Sequence, residues 1–231
     1  MKAVYFKSFG KRNGLPLEIS TFDPSKSNLS TFQTLKEILE QKVIRPNTRH
    51  HILPNRLSVS IPSPDFPGAY RHEGVLFTTD NPLTYCVPFD LMALTNGRTY
   101  TSQDYGSDFL PGYEDFVFQD FKSMIDSFPN SKFALEALRK FRESHGLTNP
   151  NKNMDYNEVC FENDITIKPL GLIGTSNEIK TLGWDHKIKA YDSMDQYLMA
   201  KNQPVKYCLQ ELFYKALPYM FDGCQGLAQE R

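Results

Sequence analysis

Residues 155–165, with the sequence DYNEVCFENDI, form the stretch that decides the fold predicted for this chain. Their β-branched and aromatic side chains recur at every second position, which predicts a β-strand. Alternation along the strand places Val159 and Phe161 on one face and Glu158 on the other. A rigid strand fixes a carboxylate better than a loop does, so Glu158 is a candidate for holding a ligand hydroxyl. The alternative is that Glu158 faces solvent on an edge strand.

Length and composition are those of an ordinary globular protein. The chain has 231 residues, of which 40% are hydrophobic and 23% are charged. We therefore expect one domain over residues 1–231, in which residues 180–231 form a C-terminal helical extension. The formal net charge of −1 creates no overall field that would attract nucleic acid or an anionic membrane.

The cysteines and the apolar runs predict a cytoplasmic protein that does not bind a membrane. The four cysteines are far apart and include no C-x-x-C pair, so neither a disulfide framework nor a zinc knuckle is indicated. No apolar run approaches the ~20 residues that span a bilayer. The N-terminus also lacks the apolar segment of a signal peptide.

The first half of the chain predicts strands around one amphipathic helix. Residues 2–9 (KAVYFKSF) form a first strand, and residues 20–30 form a loop. A helix is expected from Ser30, with Gln33 as its capping-box partner, and Pro46 ends it.

Next comes the clearly alternating strand 56–61 (RLSVSI), with Ser58 and Ser60 on one face. Residues 74–78 form a further strand, and residues 83–94 form either a strand or a short helix.

The second half predicts helices on either side of the strand that carries Glu158. The expected segments are helices at 116–128 and 131–145, a strand at 170–174, and helices at 192–201 and 205–217. Strands in the middle and helices at the flanks predict an α+β fold with a mixed or antiparallel sheet.

Common catalytic signatures are missing from the sequence. It contains no phosphate-binding G-x-x-x-x-G-K-[ST], no G-x-G-x-x-G, no H-E-x-x-H and no G-x-S-x-G. The histidines and the glutamate at 50, 51, 72 and 73 match no common metal-ligand spacing, so no metal site is predicted. A short nuclease-like pattern pairs Asp164 with Glu178 and Lys180.

The segment that carries Glu158 resembles the ADP-ribosyltransferase superfamily. Tyr156-Asn157-Glu158, an apolar strand and then Asp164-Ile165 are similar to the catalytic-glutamate strand of poly-ADP-ribose polymerases. The same segment is similar to the A-E-V-L-V strand of DarT-like DNA ADP-ribosyltransferases, with Asn157-Glu158-Val159 in place of Ala-Glu-Val.

Two further segments extend the resemblance over about residues 30–175. The helix that runs into Ile44-Arg45-Pro46 resembles the family's early I-L-x-x-G-x-L helix, although Gln41 or Lys42 replaces the glycine. Residues 56–65 (RLSVSIPSPD) are similar to the family's V-x-x-S-I-x-x-P-N strand.

Two departures from the family pattern change what the resemblance implies. The first strand lacks the His or Arg that contacts the ribose in relatives, so Lys7 or Ser8 would substitute for it. Relatives that modify arginine carry Glu or Gln two residues before the catalytic glutamate. Tyr156 occupies that position here, which argues against arginine as the acceptor.

The resemblance implies a role for each candidate in binding NAD. Glu158 and Arg56 are the expected catalytic residues, with Glu158 on the ribose 2′-hydroxyl to stabilise an oxocarbenium-like transition state. Arg56 or Arg49 would hold the pyrophosphate.

The remaining candidates would contact the sugar or the nicotinamide. Ser58 and Ser60 would bond the ribose or the nicotinamide amide, and Tyr70 or Tyr85 would stack on its ring. The alternatives are a solvated serine face, ordinary surface arginines and a packing role for Tyr70.

The expected fold is therefore α+β and ADP-ribosyltransferase-like, with split mixed or antiparallel sheets that form an NAD cleft and flanking helices. The expected activity is that of a glycosyltransferase that moves ADP-ribose from NAD to nucleic acid or protein. DNA binding and a toxin or effector role, with an antitoxin or regulatory protein as partner, follow from the DarT-like resemblance. Two alternatives stay open, a non-catalytic interaction module that retains the fold and a metal-dependent nuclease.

Overall fold

A computed structural model describes residues 3–10, 16–22, 30–46, 56–66, 68, 72–96, 108–147 and 156–202. Within these residues the strands are β1 Tyr5–Phe9, β2 Glu18–Phe22, β3 Ser30–Thr34, β4 Val43–Ile44, β5 Arg56–Val59, β6 Glu73–Thr79, β7 Tyr85–Val87, β8 Glu158–Glu162, β9 Ile165–Ile173 and β10 Lys189–Tyr191. The α-helices are α1 Leu35–Gln41, α2 Phe121–Ser127, α3 Ser131–Ser144, α4 Asn177–Asp185 and α5 Met194–Asn202, and short 3-10 helices cover Leu91–Leu94 and Tyr113–Phe116.

The larger sheet has the strand order β1-β6-β9-β10, and β4 also pairs with β9. Strands β1, β6 and β9 are antiparallel neighbours. Strand β10 is parallel to β9 because helix α4 connects the two strands as a crossover. The sheet is therefore mixed, and the predicted α+β class is confirmed.

The smaller sheet has the order β5-β8-β7 and is antiparallel. It meets the larger sheet where Phe6 of β1 and Ser60, just after β5, exchange backbone hydrogen bonds of 2.7 and 3.0 Å. Strand β8 therefore lies in the centre of its sheet, with a neighbour on each side.

Aromatic side chains fill the core between the sheets. The ring of Tyr5 packs edge-on against Phe161, with centroids 5.2 Å apart, and also stacks on Phe77. On the other face of the larger sheet, helix α5 contributes Tyr197 and Leu198 to a separate buried cluster. The sheet is thus covered by apolar side chains on both faces.

Helix α1 begins four residues later than the sequence predicts. Thr34 is the N-cap, and its side chain and that of Glu37 form a reciprocal capping box. The expected start at Ser30 is wrong, because residues 30–34 pair with β2 as strand β3. Both positions fit the capping pattern, but only Thr34 directly precedes the buried positions Leu35, Ile38 and Leu39.

Other boundaries also differ from the prediction. Strand β2 occupies part of the expected loop 20–30, and residues 83–94 contain both alternatives, strand β7 and a 3-10 helix. The expected helix 116–128 is a 3-10 turn followed by α2. Strand β10 lies within the expected helical extension and joins the larger sheet, while residues 205–217 lie outside the described residues.

Candidate functional site

Glu158 lies at the start of the central strand β8, and its carboxylate is enclosed by protein. Its side chain is 8% exposed, so the solvent-facing alternative is wrong. One carboxylate oxygen accepts the Leu91 N–H at 2.6 Å. The other lies 3.8 Å from the Cys160 thiol, and the Ser58 hydroxyl also bonds the carboxylate.

Asn157 fixes the position of Glu158 in the sheet. The Asn157 side chain is fully buried, accepts the Ile61 N–H at 2.7 Å and donates to the Ile61 carbonyl at 2.8 Å. This pair of bonds ties the start of β8 to the residues just after β5. Ser58 lies opposite Cys160 in the same pair of strands, so Ser58 and Glu158 share a face.

Lys7 reaches the same face from strand β1. Its side chain is only 5% exposed, and Nζ donates to the Ser58 carbonyl at 2.6 Å. The Lys7 charge favours ionised Glu158 and lowers the pKa of that carboxyl. The structure thus brings Lys7 beside Ser58 and Glu158.

Ser8, the other candidate of β1 for the ribose contact, does not belong to this cluster. Successive strand residues point to opposite faces. Tyr5 and Phe9 face the core between the sheets, as Lys7 does, whereas Phe6 faces the cluster under α5. Ser8 therefore lies on the face away from Glu158.

Arg56 lies on the Glu158 face with unused donors. Its Nη1 is 3.0 Å from a carboxylate oxygen of Glu162, an ion pair whose geometry does not make a hydrogen bond. Nε and Nη1 are buried and have no hydrogen-bond partner in the described part of the chain. A partly buried guanidinium whose Nε–H has no partner among the described residues is suited to bind an anionic oxygen.

Tyr85 and Ser60 are buried at the same site. Tyr85 lies opposite Cys160 on the third strand of the small sheet, and its hydroxyl bonds that thiol. Burial raises the pKa of Tyr85, so the phenol stays neutral. Ser60 is 5% exposed. Arg49 and Tyr70, the other two candidates, lie outside the described residues.

Asp90 and the 3-10 helix that follows it belong to the site, although the sequence analysis did not select them. Asp90 accepts the Met92 N–H at 2.9 Å and the Tyr156 hydroxyl at 2.7 Å. It thereby fixes the turn that presents the Leu91 N–H to Glu158. The sequence signal was an N-cap residue immediately before the apolar run Leu91–Leu94.

Burial dominates the ionisation of this cluster. Burial, and then the charge of Asp90, raise the pKa of Glu158 to about 7, against the opposing effects of Ser58, Leu91 and Lys7. Burial also raises the pKa of Asp90, while its bond from Tyr156 lowers it. Glu158 can therefore exchange a proton near neutral pH, which suits a general base.

The residues of the nuclease pattern are far apart. Asp164 immediately precedes the nine-residue strand β9, and Glu178 follows it in the first turn of α4. At about 3.3 Å per residue the strand places them roughly 25 Å apart. Both Glu178 oxygens accept the Leu17 N–H, at 2.9 and 3.0 Å. A nuclease site built from Asp164, Glu178 and Lys180 is therefore wrong.

The described residues were compared with two further features, a metal-ligand cluster and a membrane-spanning helix. In those residues no group of three or more His, Cys, Asp or Glu side chains could hold a metal ion. Among the described helices, none is both long enough and apolar enough to cross a bilayer.

Comparison with models of known protein families finds no match, and neither does comparison with curated proteins or with solved structures. The chemistry of this site must therefore be argued from its own residues.

Proposed function

We propose that this chain is an NAD-dependent ADP-ribosyltransferase that uses Glu158 as its catalytic carboxylate. The observation that carries the proposal is the environment of Glu158, a buried carboxylate on a central strand with the Ser58 hydroxyl and the Lys7 ammonium beside it. The resemblance of residues 156–165 to the catalytic strand of that superfamily supports the same assignment.

In the proposed reaction the bond between ribose C1′ and the nicotinamide nitrogen breaks. Nicotinamide leaves with the electron pair, and positive charge develops on the ribose ring. Ionised Glu158 accepts a hydrogen bond from the 2′-hydroxyl and stabilises that charge. The acceptor nucleophile forms a bond to C1′, and its proton passes to Glu158 or to solvent.

Arg56 is the proposed pyrophosphate ligand. Its buried Nε has no hydrogen-bond partner among the described residues, and a pyrophosphate oxygen would supply one. Leaving such donors unsatisfied costs on the order of 1–3 kcal/mol. Ser58 would bond the ribose or the nicotinamide amide, and Lys7 would keep Glu158 ionised.

The proposed acceptor is a macromolecule, either nucleic acid or protein. The DarT-like resemblance favours nucleic acid, and with it a toxin or effector role that a neutralising protein would control. A non-catalytic interaction module is the second candidate, because the Leu91 N–H already occupies one oxygen of Glu158 at 2.6 Å.

The test incubates the protein and labelled NAD with cell lysate, and compares wild type with Glu158→Gln. We expect transfer of the label by wild type, at a rate that rises with pH through about 7 as Glu158 ionises. Glu158→Gln should lose at least 100-fold in rate, on the order of the general-base and electrostatic contributions. The matched control is Asp164→Asn, which removes an exposed carboxylate at the far end of β8 and should retain full activity.

A wild-type protein that neither transfers the label nor hydrolyses NAD would refute the transferase and leave the interaction module. Equal activity of wild type and Glu158→Gln would refute the role of Glu158.

A further inference from the structure

A groove lies between the C-terminal end of helix α4 and the edge strand β10. Its volume is about 640 Å³, and Gly183 and Ala190 form part of its wall. Trp184 also lines it, is 85% exposed, and is the one tryptophan of the chain. An exposed ring of this size offers a flat apolar face on which the ring of a ligand can pack.

Two lysines accompany the tryptophan in the groove. Lys180 and Lys187 line it, and both are exposed. Neither forms an ion pair with a carboxylate of the described residues, unlike the exposed Lys168, which pairs with Asp80 at 3.3 Å. Lys189 also lines the groove, but its Nζ lies over the Tyr191 ring, 4.9 Å from the centroid. The groove is therefore a local concentration of positive charge on a chain whose net charge is −1.

The backbone keeps this arrangement fixed. Lys180 and Trp184 are four residues apart on α4 and so lie on one stripe of the helix. Lys187 follows the helix in the left-handed conformation, with φ of 54°. This conformation costs a residue other than glycine on the order of 1 kcal/mol. The Ile188 N–H bonds the Gly183 carbonyl at 2.8 Å and closes the turn.

We propose that this groove binds single-stranded nucleic acid. Trp184 offers a flat face on which a base can stack, and Lys180 and Lys187 are placed to contact the phosphates on either side. The groove has the volume of a site for a nucleotide-sized ligand. A membrane is a poorer match, because the groove is concave and Trp184 is its one exposed large apolar side chain among the described residues.

This surface is separate from the Glu158 site. Strands β5, β1, β6 and β9 lie between β8 and β10 in the joined sheets. The inference therefore does not rest on the transferase proposal, and binding can be measured without NAD.

The test titrates the full chain with oligothymidylate and oligouridylate. Stacking of a base on Trp184 should quench the intrinsic fluorescence of this sole tryptophan. Fluorescence anisotropy of an end-labelled oligonucleotide then gives Kd for every variant. For two lysine–phosphate contacts, the plot of log Kd against log salt should have a slope of about 1.4, at about 0.7 per phosphate neutralised.

Variants assign the binding to the groove. Trp184→Ala should weaken binding roughly ten-fold, the effect of losing one stacked base. Lys180→Ala and Lys187→Ala should each lower the salt slope by about 0.7. The controls are Met199→Ala, an exposed apolar residue outside the groove, and Lys140→Ala, an exposed lysine on α3.

The proposal is overturned if neither oligonucleotide binds, or if Trp184→Ala binds as wild type does. Vesicles of phosphatidylserine and phosphatidylcholine provide the remaining comparison. Binding to vesicles but not to oligonucleotides would also overturn the proposal and would assign the groove to an anionic lipid surface.

Discussion

At the scale of single residues, two opposing sets of interactions determine the pKa of Glu158. Burial and the nearby Asp90 favour its protonated form, whereas Ser58, Leu91 and Lys7 favour the carboxylate. Because the pKa of Glu158 is raised to about 7, the folded protein retains a proton that the unfolded chain releases near pH 4.5. Above that pH the site carries a cost in stability.

The first prediction is that Glu158→Gln stabilises the protein at pH 8 but not at pH 4. In wild type, the stabilising effect of the raised pKa is fully present below the unfolded value. It is lost as pH rises to the folded value of about 7. Glutamine mimics the protonated acid, so the variant should gain on the order of 2–3 kcal/mol over wild type at pH 8. Urea unfolding at both pH values measures the difference, and an equal effect at the two values would contradict it.

Helix α1 shows at the scale of one element how a cap is chosen. The Thr34 hydroxyl accepts the Glu37 N–H, and the Thr34 N–H donates to the Glu37 carboxylate at 2.7 Å. The bonds from Thr34 also lower the pKa of Glu37. Ser30 also carries a hydroxyl group and has Gln33 three positions later, yet it lies in β3.

The second prediction concerns this cap. Thr34→Ala removes the side chain that accepts the Glu37 N–H and should cost about 1 kcal/mol in the free energy of unfolding. Ser30→Ala, the matched control at the rejected start, should cost less than about 0.5 kcal/mol. Chemical denaturation of the two variants distinguishes them, and a larger loss from Ser30→Ala would show that the helix begins earlier.

At the scale of the whole molecule, the larger sheet depends on the close approach of β1 to β6. Gly74 lies opposite Ser8 of β1 on one side and Ile173 of β9 on the other. A Cβ atom at Gly74 would lie 2.2 Å from the Lys7 carbonyl and 2.6 Å from the Phe6 ring. Only glycine allows β1, and Lys7 with it, to approach this closely.

The third prediction is that Gly74→Ala destabilises the protein by about 3 kcal/mol, because backbone and a buried ring must move. Gly146→Ala is the control, because a Cβ there meets nothing within 4 Å. Its only cost is that of a left-handed backbone with φ of 69°, about 1 kcal/mol. Thermal and urea unfolding rank the two variants. Equal losses would mean that conformation, and not contact, sets the cost at Gly74.

The sequence by itself determined the local elements whose pattern is periodic. The alternation of β5 and β8 placed Ser58 and Glu158 on polar faces, and the 3.6-residue period of α3 gave its bounds to within one residue. The candidates Lys7 and Arg56, by contrast, come from the resemblance of the chain to the ADP-ribosyltransferase superfamily. Each of these signals lies within a few neighbouring residues.

Only the tertiary structure decided which of these residues meet. The short strands β4 and β10 exist because a partner strand supplies their hydrogen bonds, and two or three residues carry too weak a local preference to show it. Ser8 lies on the face of β1 away from the site. Asp90 and Tyr156 belong to the site because they bond each other across 66 positions of the chain. Burial of Glu158 likewise depends on β5 and β7 closing on both sides of β8, because long-range packing, and not local sequence, determines what is removed from water.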